Sequence, residues 1–366
     1  MKYIFPDYDK SLLGLVSSIE NYFGIKNSRK TLPMLDEALK EKEYKNIIVI
    51  LYDGFGYNLL TKNKKDLPFL YNNLKDKISS VFPPTTTAAT TSVLSGLAPI
   101  EHGFLGWDMY IDKLDEVVTL FLNRKKESKE PIENWNSFED LKCKYITEKI
   151  SNIIGCKGTS VSPYGDIKYS DIDDMNKKII SITKNDKKNY IYAYYESPDD
   201  LMHDYGTKDK KVIDNIKMID EKFKELCESL NDSLIIMIAD HGHIDTDWIT
   251  LSNYPKVFNM LKTTTWIDSR ASMFMVKDEY KKVFKEEIKK VIGTDFILLS
   301  KEEILNKKLF GEGTKNKYFD GAIGDYIAIA TGNKSIRYSD KHEMFKSNHS
   351  GITEDEVYVP LVIVKK

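Results

Sequence analysis

Cysteine is scarce and unpaired in this chain: Cys143, Cys156 and Cys227 are the only three in 366 residues, with no C-x-x-C spacing among them. That odd count speaks against a disulfide framework and against a thiolate zinc site. Any metal would be held by oxygen and imidazole, a donor set that suits zinc, manganese or iron better than copper(I). Cys227, in a helical pattern, and Cys156, in a Gly-flanked apolar run, are expected as buried thiols. Long apolar runs are missing as well. No stretch has the length needed to cross a bilayer, and Met1 to Tyr8 offers neither an apolar signal core nor a cleavage site. The expected compartment is therefore the cytosol, with no membrane partner. Nor is there an excess of charge of either sign. The formal charge is -2, and acidic residues are interspersed among the lysines of 62–75 and 184–188, so no nucleic-acid polymer is expected as a partner.

What is present is an ordinary globular composition, 41% apolar and 30% charged, which separates the chain from disordered sequences. Five short, continuous apolar runs have the character of strands covered on both faces: Ile47–Tyr52, Tyr190–Tyr195, Leu234–Ala239, Tyr326–Ala330 and Val357–Val364. Pro360 assigns the last of them to an edge or a strand end. Helical patterns lie between them, the clearest from Val212 to Leu230, with Ile213, Ile216, Phe223 and Leu226 on one stripe. Strands alternating with helices predict an α/β fold, a mostly parallel central sheet flanked by helices, in a single domain over 1–366. The rhythm breaks at about 245–320, which is expected to be an inserted cap; a second irregular region runs from about 108 to 139.

Only six histidines occur, and three stand where metal ligands would. Asp199 and His203 are spaced i, i+4 after the run Tyr190–Tyr195, so one helical turn would bring both to a single ion; a plain helix N-terminus after Ser197–Pro198 is the other reading. Asp240-His241-Gly242 follows Leu234–Ala239, where the pair could turn to one metal or lie in a solvated loop. His243, Asp245 and Asp247 are expected as loop residues or outer neighbours, and Asp200 as a weaker rival ligand. His349, in a turn-forming stretch before the last run, would supply the third ligand that Asp199 and His203 lack, since a catalytic zinc commonly takes three plus water. Asp53 ends the run Ile47–Tyr52 at the crevice where parallel sheets bind ligands, although an Asp-Gly turn is common at such a place. Thr86 sits in a Pro-Pro-Thr-Thr-Thr stretch that opens a helix. Its hydroxyl there is either a cap or a group beside a phosphate site, and a metal could activate it as a nucleophile. Six nitrogen and oxygen ligands and one hydroxyl suffice for two divalent ions and a nucleophile.

These pieces in this order resemble the alkaline phosphatase superfamily, in its type I phosphodiesterase/nucleotide pyrophosphatase branch. The matching stretches are Asp53-Gly54, Phe82-Pro83 with Thr85-Thr86, Ser95-Gly96-Leu97 with Pro99 and His102-Gly103, Pro198-Asp199 with His203 and Gly206, Asp240-His241-Gly242, and His349. The resemblance implies that Thr86 is the nucleophile, with Thr85 and Thr87 as the neighbours to which the alignment could slip. It implies one metal on Asp199, His203 and His349, and a second on Asp53, Asp240, His241 and the Thr86 oxygen. Zinc is the expected ion at both, with manganese as the alternative. One departure stands out: an asparagine that holds a phosphate oxygen in this family is replaced by Trp107, which could stack on a nucleobase, with Tyr110 alongside, or pack under the cap. The Cys/Ser-x-Pro-x-Arg element of sulfatases is absent.

The expected activity is hydrolysis of small-molecule phosphodiesters or nucleotide pyrophosphates through a covalent threonine intermediate. The alternatives are a phosphomonoesterase or phosphomutase of the same superfamily, which would need a cation such as Arg270 or Lys346 on the phosphate, and a non-catalytic metal-binding regulator.

Overall fold

A computed structural model describes residues 3–366. The central sheet has six strands: β1 (Asn46–Tyr52), β2 (Leu74–Ser79), β3 (Cys156–Val161), β4 (Lys188–Tyr195), β5 (Ser233–Ile238) and β6 (Tyr358–Lys365). Their order is β2-β6-β5-β1-β4-β3. β1 runs parallel to β4 and β5, and β3 parallel to β4, whereas β6 is antiparallel to both its neighbours. Every residue of β1 is buried, as its unbroken apolar run predicts for a strand covered on two faces. Burying each Ile, Val or Leu of that run contributes roughly 1.5–3 kcal/mol. Pro360 pairs with Lys77 of β2, while the pairing of β6 with β5 begins only at Val362. The missing N–H thus falls where β6 has a neighbour on one side only.

Three helices matter for the site: α1 (Thr86–Ser95), α2 (Asp199–Tyr205) and α3 (Lys210–Ser229). The last realises the amphipathic pattern at Val212–Leu230, burying Ile216, Phe223 and Leu226 against the central core. No described helix is long and apolar enough to cross a membrane.

Two sequence expectations are corrected. Tyr326–Ala330 is a strand, but it lies in a second, seven-stranded antiparallel sheet between Phe296–Ser300 and Ala271–Phe274. A short apolar run does not tell which sheet will take it. The same sheet continues through Trp266–Ile267 into Asp108–Ile111, Glu116–Thr119 and Arg124–Lys125. The two irregular regions near 108–139 and 245–320 pair with each other and share a core around Trp266, Ile267 and Met109. Of the cysteines, Cys227 is buried and Cys156 only half-buried.

Candidate active site

The strand register decides where the chemistry gathers. Tyr52 pairs with Tyr195 and Leu51 with Ile238, so β1, β4 and β5 end level. Asp53, the turn leading to Asp199, and Asp240 all emerge at one carboxyl edge, the crevice where α/β sheets hold ligands. Asp199 N–H donates to the Asp53 carbonyl at 3.1 Å, which ties the two loops together through main chain. Gly54 is required between them: its φ is +70°, and a Cβ there would lie 3.1 Å from Asp199 Cα. Gly242 plays the same part after β5, where a Cβ would meet the Asp355 carbonyl at 2.0 Å.

All seven sequence-predicted residues come together. Asp53 and Asp240 are buried. Tyr194 Oη donates to Asp53 Oδ2 at 2.5 Å, and the N–H groups of Gly54 and His241 donate to Asp240 Oδ1 at 3.0 Å each. The remaining oxygens, Asp53 Oδ1 and Asp240 Oδ2, have no hydrogen-bond partner among the described residues, and they lie 3.4 and 3.5 Å from His241 Nε2. Thr86 is the first residue of α1, with Thr85 as its N-cap, and its Oγ1 lies 3.2 Å from His241 Nε2. The neighbouring threonines point elsewhere. Thr85 donates to Asp268 Oδ2 at 2.9 Å, and Thr87 Oγ1 is buried with no hydrogen-bond partner among the described residues.

The second cluster surrounds Asp199. His203 Nε2 lies 3.5 Å from its Oδ2, and His349 Nε2 lies 3.9 Å from its Oδ1. His243, expected as an outer loop residue, has its Nε2 2.5 Å from Asp199 Oδ1. A sequence signal for it existed: His241 and His243 are two residues apart at a strand end, and extended backbone turns such residues to one side. His241 and His349 stack with centroids 3.8 Å apart, joining the two clusters.

Electrostatics separates the carboxylates. Burial, with Asp240 and Asp199 nearby, raises the Asp53 carboxyl well above the usual range. Burial also raises Asp240, against the opposing effect of His241. Burial would raise Asp199 too, but His203 and His243 outweigh it and hold its carboxyl well below the usual value. Burial lowers His243 to about 4. Buried carboxylate oxygens without donors, facing imidazole nitrogens, are what a divalent cation satisfies, so the residues present fit such ions.

The crevice opens into a cleft of about 420 Å³ whose lining includes Thr86, Asp199, His203 and His349 together with Trp107, Arg124, Lys126, Lys129, Arg337 and Phe345. Trp107 is exposed there rather than packed in the core. Tyr110 is not alongside it: its ring is buried against Trp266 and its hydroxyl donates to Asp115 at 2.6 Å. Arg124 is half-buried, and its Nε has no hydrogen-bond partner among the described residues.

The two cations considered for the phosphate lie elsewhere. Lys346 is exposed and outside the cleft lining. Arg270 is fully buried and grips Glu356 at 2.6 and 2.8 Å, donating also to the carbonyls of Lys334 and Gly332. Glu356 accepts from Gly351 N–H at 2.7 Å and from the Thr353 hydroxyl at 2.6 Å. The pair thereby pins the turn behind His349, in which Ser350 has a φ of +84°. Beneath α1, His102 is buried, with Nε2 3.1 Å from Ser92 Oγ and Nδ1 accepting from Phe104 N–H at 3.0 Å.

The chain resembles known proteins in sequence and in fold. The family model described as type I phosphodiesterase / nucleotide pyrophosphatase matches residues 47–353. Among curated proteins, ectonucleotide pyrophosphatase/phosphodiesterase family member 3 of Bos taurus is 25% identical over 216 residues, covering 54% of this chain. Family member 1 of Homo sapiens is 25% identical over 185 residues, covering 44%. The matched stretches span only 24% and 19% of those two relatives. Among solved structures, murine ectonucleotide pyrophosphatase/phosphodiesterase 5 superposes with a TM-score of 0.68 at 19% identity, over 87% of this chain and 88% of that one. An inactive threonine-to-alanine variant of that protein in complex with AMP gives a TM-score of 0.63 at 20% identity, over 86% and 87% of the two chains. These likenesses show the fold.

Proposed function

The chain belongs to the type I phosphodiesterase/nucleotide pyrophosphatase family, and on that premise we propose that it is a two-metal hydrolase of phosphodiester or nucleotide pyrophosphate bonds that works through a covalent intermediate on Thr86. The observation that carries the proposal is the position of Thr86 Oγ1 at the start of α1, 3.2 Å from His241 Nε2, beside two buried carboxylate oxygens that lack donors among the described residues. Asp53, Asp240, His241 and the Thr86 oxygen would hold one ion, and Asp199, His203 and His349 the other. When bound, zinc or manganese would supply Lewis-acid charge and a lowered hydroxyl pKa.

The protein's own contribution is placement. The N–H groups of the first turn of α1 have no intrahelical partners and favour a phosphate there. The carbonyl of Gly242 can only accept, so His241 Nδ1–H donates to it at 3.3 Å and leaves the Nε2 lone pair toward Thr86. Thr86 Oγ1 would give its proton to solvent and form its bond to phosphorus as the bond to the leaving group breaks on the opposite side, the departing oxygen taking a proton from solvent. Water would then cleave the threonine–phosphate bond and restore the hydroxyl.

A diester or pyrophosphate is favoured over a monoester. Neither Arg270, engaged with Glu356, nor Lys346, outside the cleft lining, is placed to neutralise a monoester's second charge, while Arg124, Lys126, Lys129 and Arg337 line the cleft and suit the extended charge of a pyrophosphate. The AMP complex of the murine relative supports a nucleotide as the substrate class. Turnover of bis-p-nitrophenyl phosphate and p-nitrophenyl phosphate, by wild type and by Thr86→Ala, tests the proposal. The diester should be cleaved with the higher kcat/KM, and the variant should lose most activity while still binding metal at Asp199. Near-normal turnover by the variant would refute the nucleophile, and a preference for the monoester would promote the phosphomonoesterase alternative.

A further inference from the structure

Hydrogen-bond directions around Asp199 fix which nitrogen of each neighbouring imidazole is bare. His203 Nδ1 lies 2.9 Å from the Ser347 carbonyl, and a carbonyl only accepts, so Nδ1 carries the proton. His243 Nδ1 lies 2.9 Å from Ser347 Oγ, and that hydroxyl already donates to the Met202 carbonyl at 2.7 Å. Ser347 Oγ must therefore accept from His243 Nδ1–H. His349 Nδ1 lies 3.0 Å from Ser350 Oγ, a hydroxyl that can accept from Nδ1–H and so leave Nε2 bare. In their neutral forms all three rings present a bare Nε2 lone pair to one carboxylate. One ligand atom from each of Asp199, His203, His243 and His349 lies within 4.8 Å of the others.

Lone pairs converging on a carboxylate repel it unless a cation sits among them. His203 and His349, at 3.5 and 3.9 Å, leave room for one. His243 Nε2 stands at hydrogen-bond distance from Asp199 Oδ1, 2.5 Å, so an ion held by both would part them, but its Nδ1 is anchored as firmly as theirs, in the manner of metal-ligating histidines whose second nitrogen is held by an outer partner. Resting on the two-metal reading above, we propose that His243 is itself a metal ligand, so that the Asp199 site offers three imidazoles and one carboxylate where the family resemblance implies two and one. The other site offers two carboxylates, one imidazole and one hydroxyl. The Asp199 site is thus the nitrogen-rich one, suited to zinc over manganese, and the Asp53 site is the harder of the two.

Two measurements decide it. In a crystal structure of the zinc-loaded protein, His243 Nε2 should lie about 2.0–2.1 Å from the ion. Zinc held by Asp199, His203 and His349 alone, with His243 only hydrogen-bonded to Asp199, would overturn the proposal. In chelator competition, His243→Gln should bind one of its two zinc equivalents at least ~100-fold more weakly than wild type, above the ~10–100-fold range of an outer-partner loss. The other equivalent should be unchanged and serves as the internal control for folding. A smaller loss makes His243 a positioning residue for the carboxylate and overturns the proposal. Absence of zinc from the cluster at any loading would overturn the two-metal reading as well, a different and recognisable failure.

Discussion

Replacing Arg270 by methionine is the sharpest test of what holds the His349 turn. The substitution keeps bulk and removes a guanidinium that makes two bonds to Glu356 and two to main-chain carbonyls. Both partners are fully buried, so Arg270→Met strands a charge, and breaking a buried pair this way costs about 3–5 kcal/mol. Glu356 keeps its bonds from Gly351 and Thr353, which places the expected loss toward the lower end of that range. At roughly 2.1 cal/mol/K per residue, a chain of 366 residues unfolds with about 0.77 kcal/mol/K. The variant should therefore melt about 4–5 °C lower by calorimetry at fixed protein and metal concentration. Arg270→Met combined with Glu356→Leu should recover much of the loss, because removing both charges removes the stranded one. The cycle should give a coupling above about 1 kcal/mol. A single-variant shift below about 1 °C, or a double variant as unstable as the sum of its singles, would refute the assignment of this pair as the clamp.

Three further outcomes are expected. Burial lowers His102 to about 3, so the unfolded chain takes up a proton below pH 6.5 while the folded one does not; stability is full above pH 6.5 and falls toward pH 3, by about 2 kcal/mol at pH 5. His102→Gln should remove that part of the slope in denaturant titrations, and an unchanged slope would exclude His102 as its source. Arg124→Ala should raise KM for a nucleotide substrate roughly tenfold with kcat nearly unchanged, as loss of a charged hydrogen bond in binding does; an unaltered KM would leave the cation outside the substrate path. Trp107→Ala should cut kcat/KM for a nucleotide ester about fivefold or more relative to methyl p-nitrophenyl phosphate, since base stacking contributes about 1–3 kcal/mol, and equal losses on both substrates would dismiss stacking.

Local chemistry was legible in the sequence wherever one segment contained its own signal. The i, i+4 pair Asp199 and His203 does fall on a helical turn, and the runs Ile47–Tyr52 and Leu234–Ala239 hold buried strands of one sheet, Asn46–Tyr52 and Ser233–Ile238. Long-range pairing was not legible. Tyr326–Ala330 has the same continuous apolar character as Ile47–Tyr52, yet it pairs antiparallel with Ala271–Phe274, a choice made by partners 50 residues away and invisible in its own composition. Arg270 shows a second limit: charge suggested a surface or substrate-facing role, and only a partner 86 residues on, Glu356, makes its burial tolerable. His243 was within reach, because its spacing from His241 already placed both on one side, but nothing local distinguished a ligand from a loop residue.

The main-chain bond from Asp199 N–H to the Asp53 carbonyl divides the molecule into a fixed half and an adjustable half. Asp53 and Asp199 follow adjacent, in-register parallel strands, whose separation of about 4.8 Å is a property of peptide geometry, and the bond that locks them uses no side chain. Substitutions of the ligands themselves can exchange donor atoms at either cluster but leave the gauge between the two to the main chain. Retuning this chain to a different leaving group therefore falls to the opposite wall, where Trp107 and Arg124 stand at either end of a small antiparallel meander. That wall can vary without disturbing the ruler beneath it.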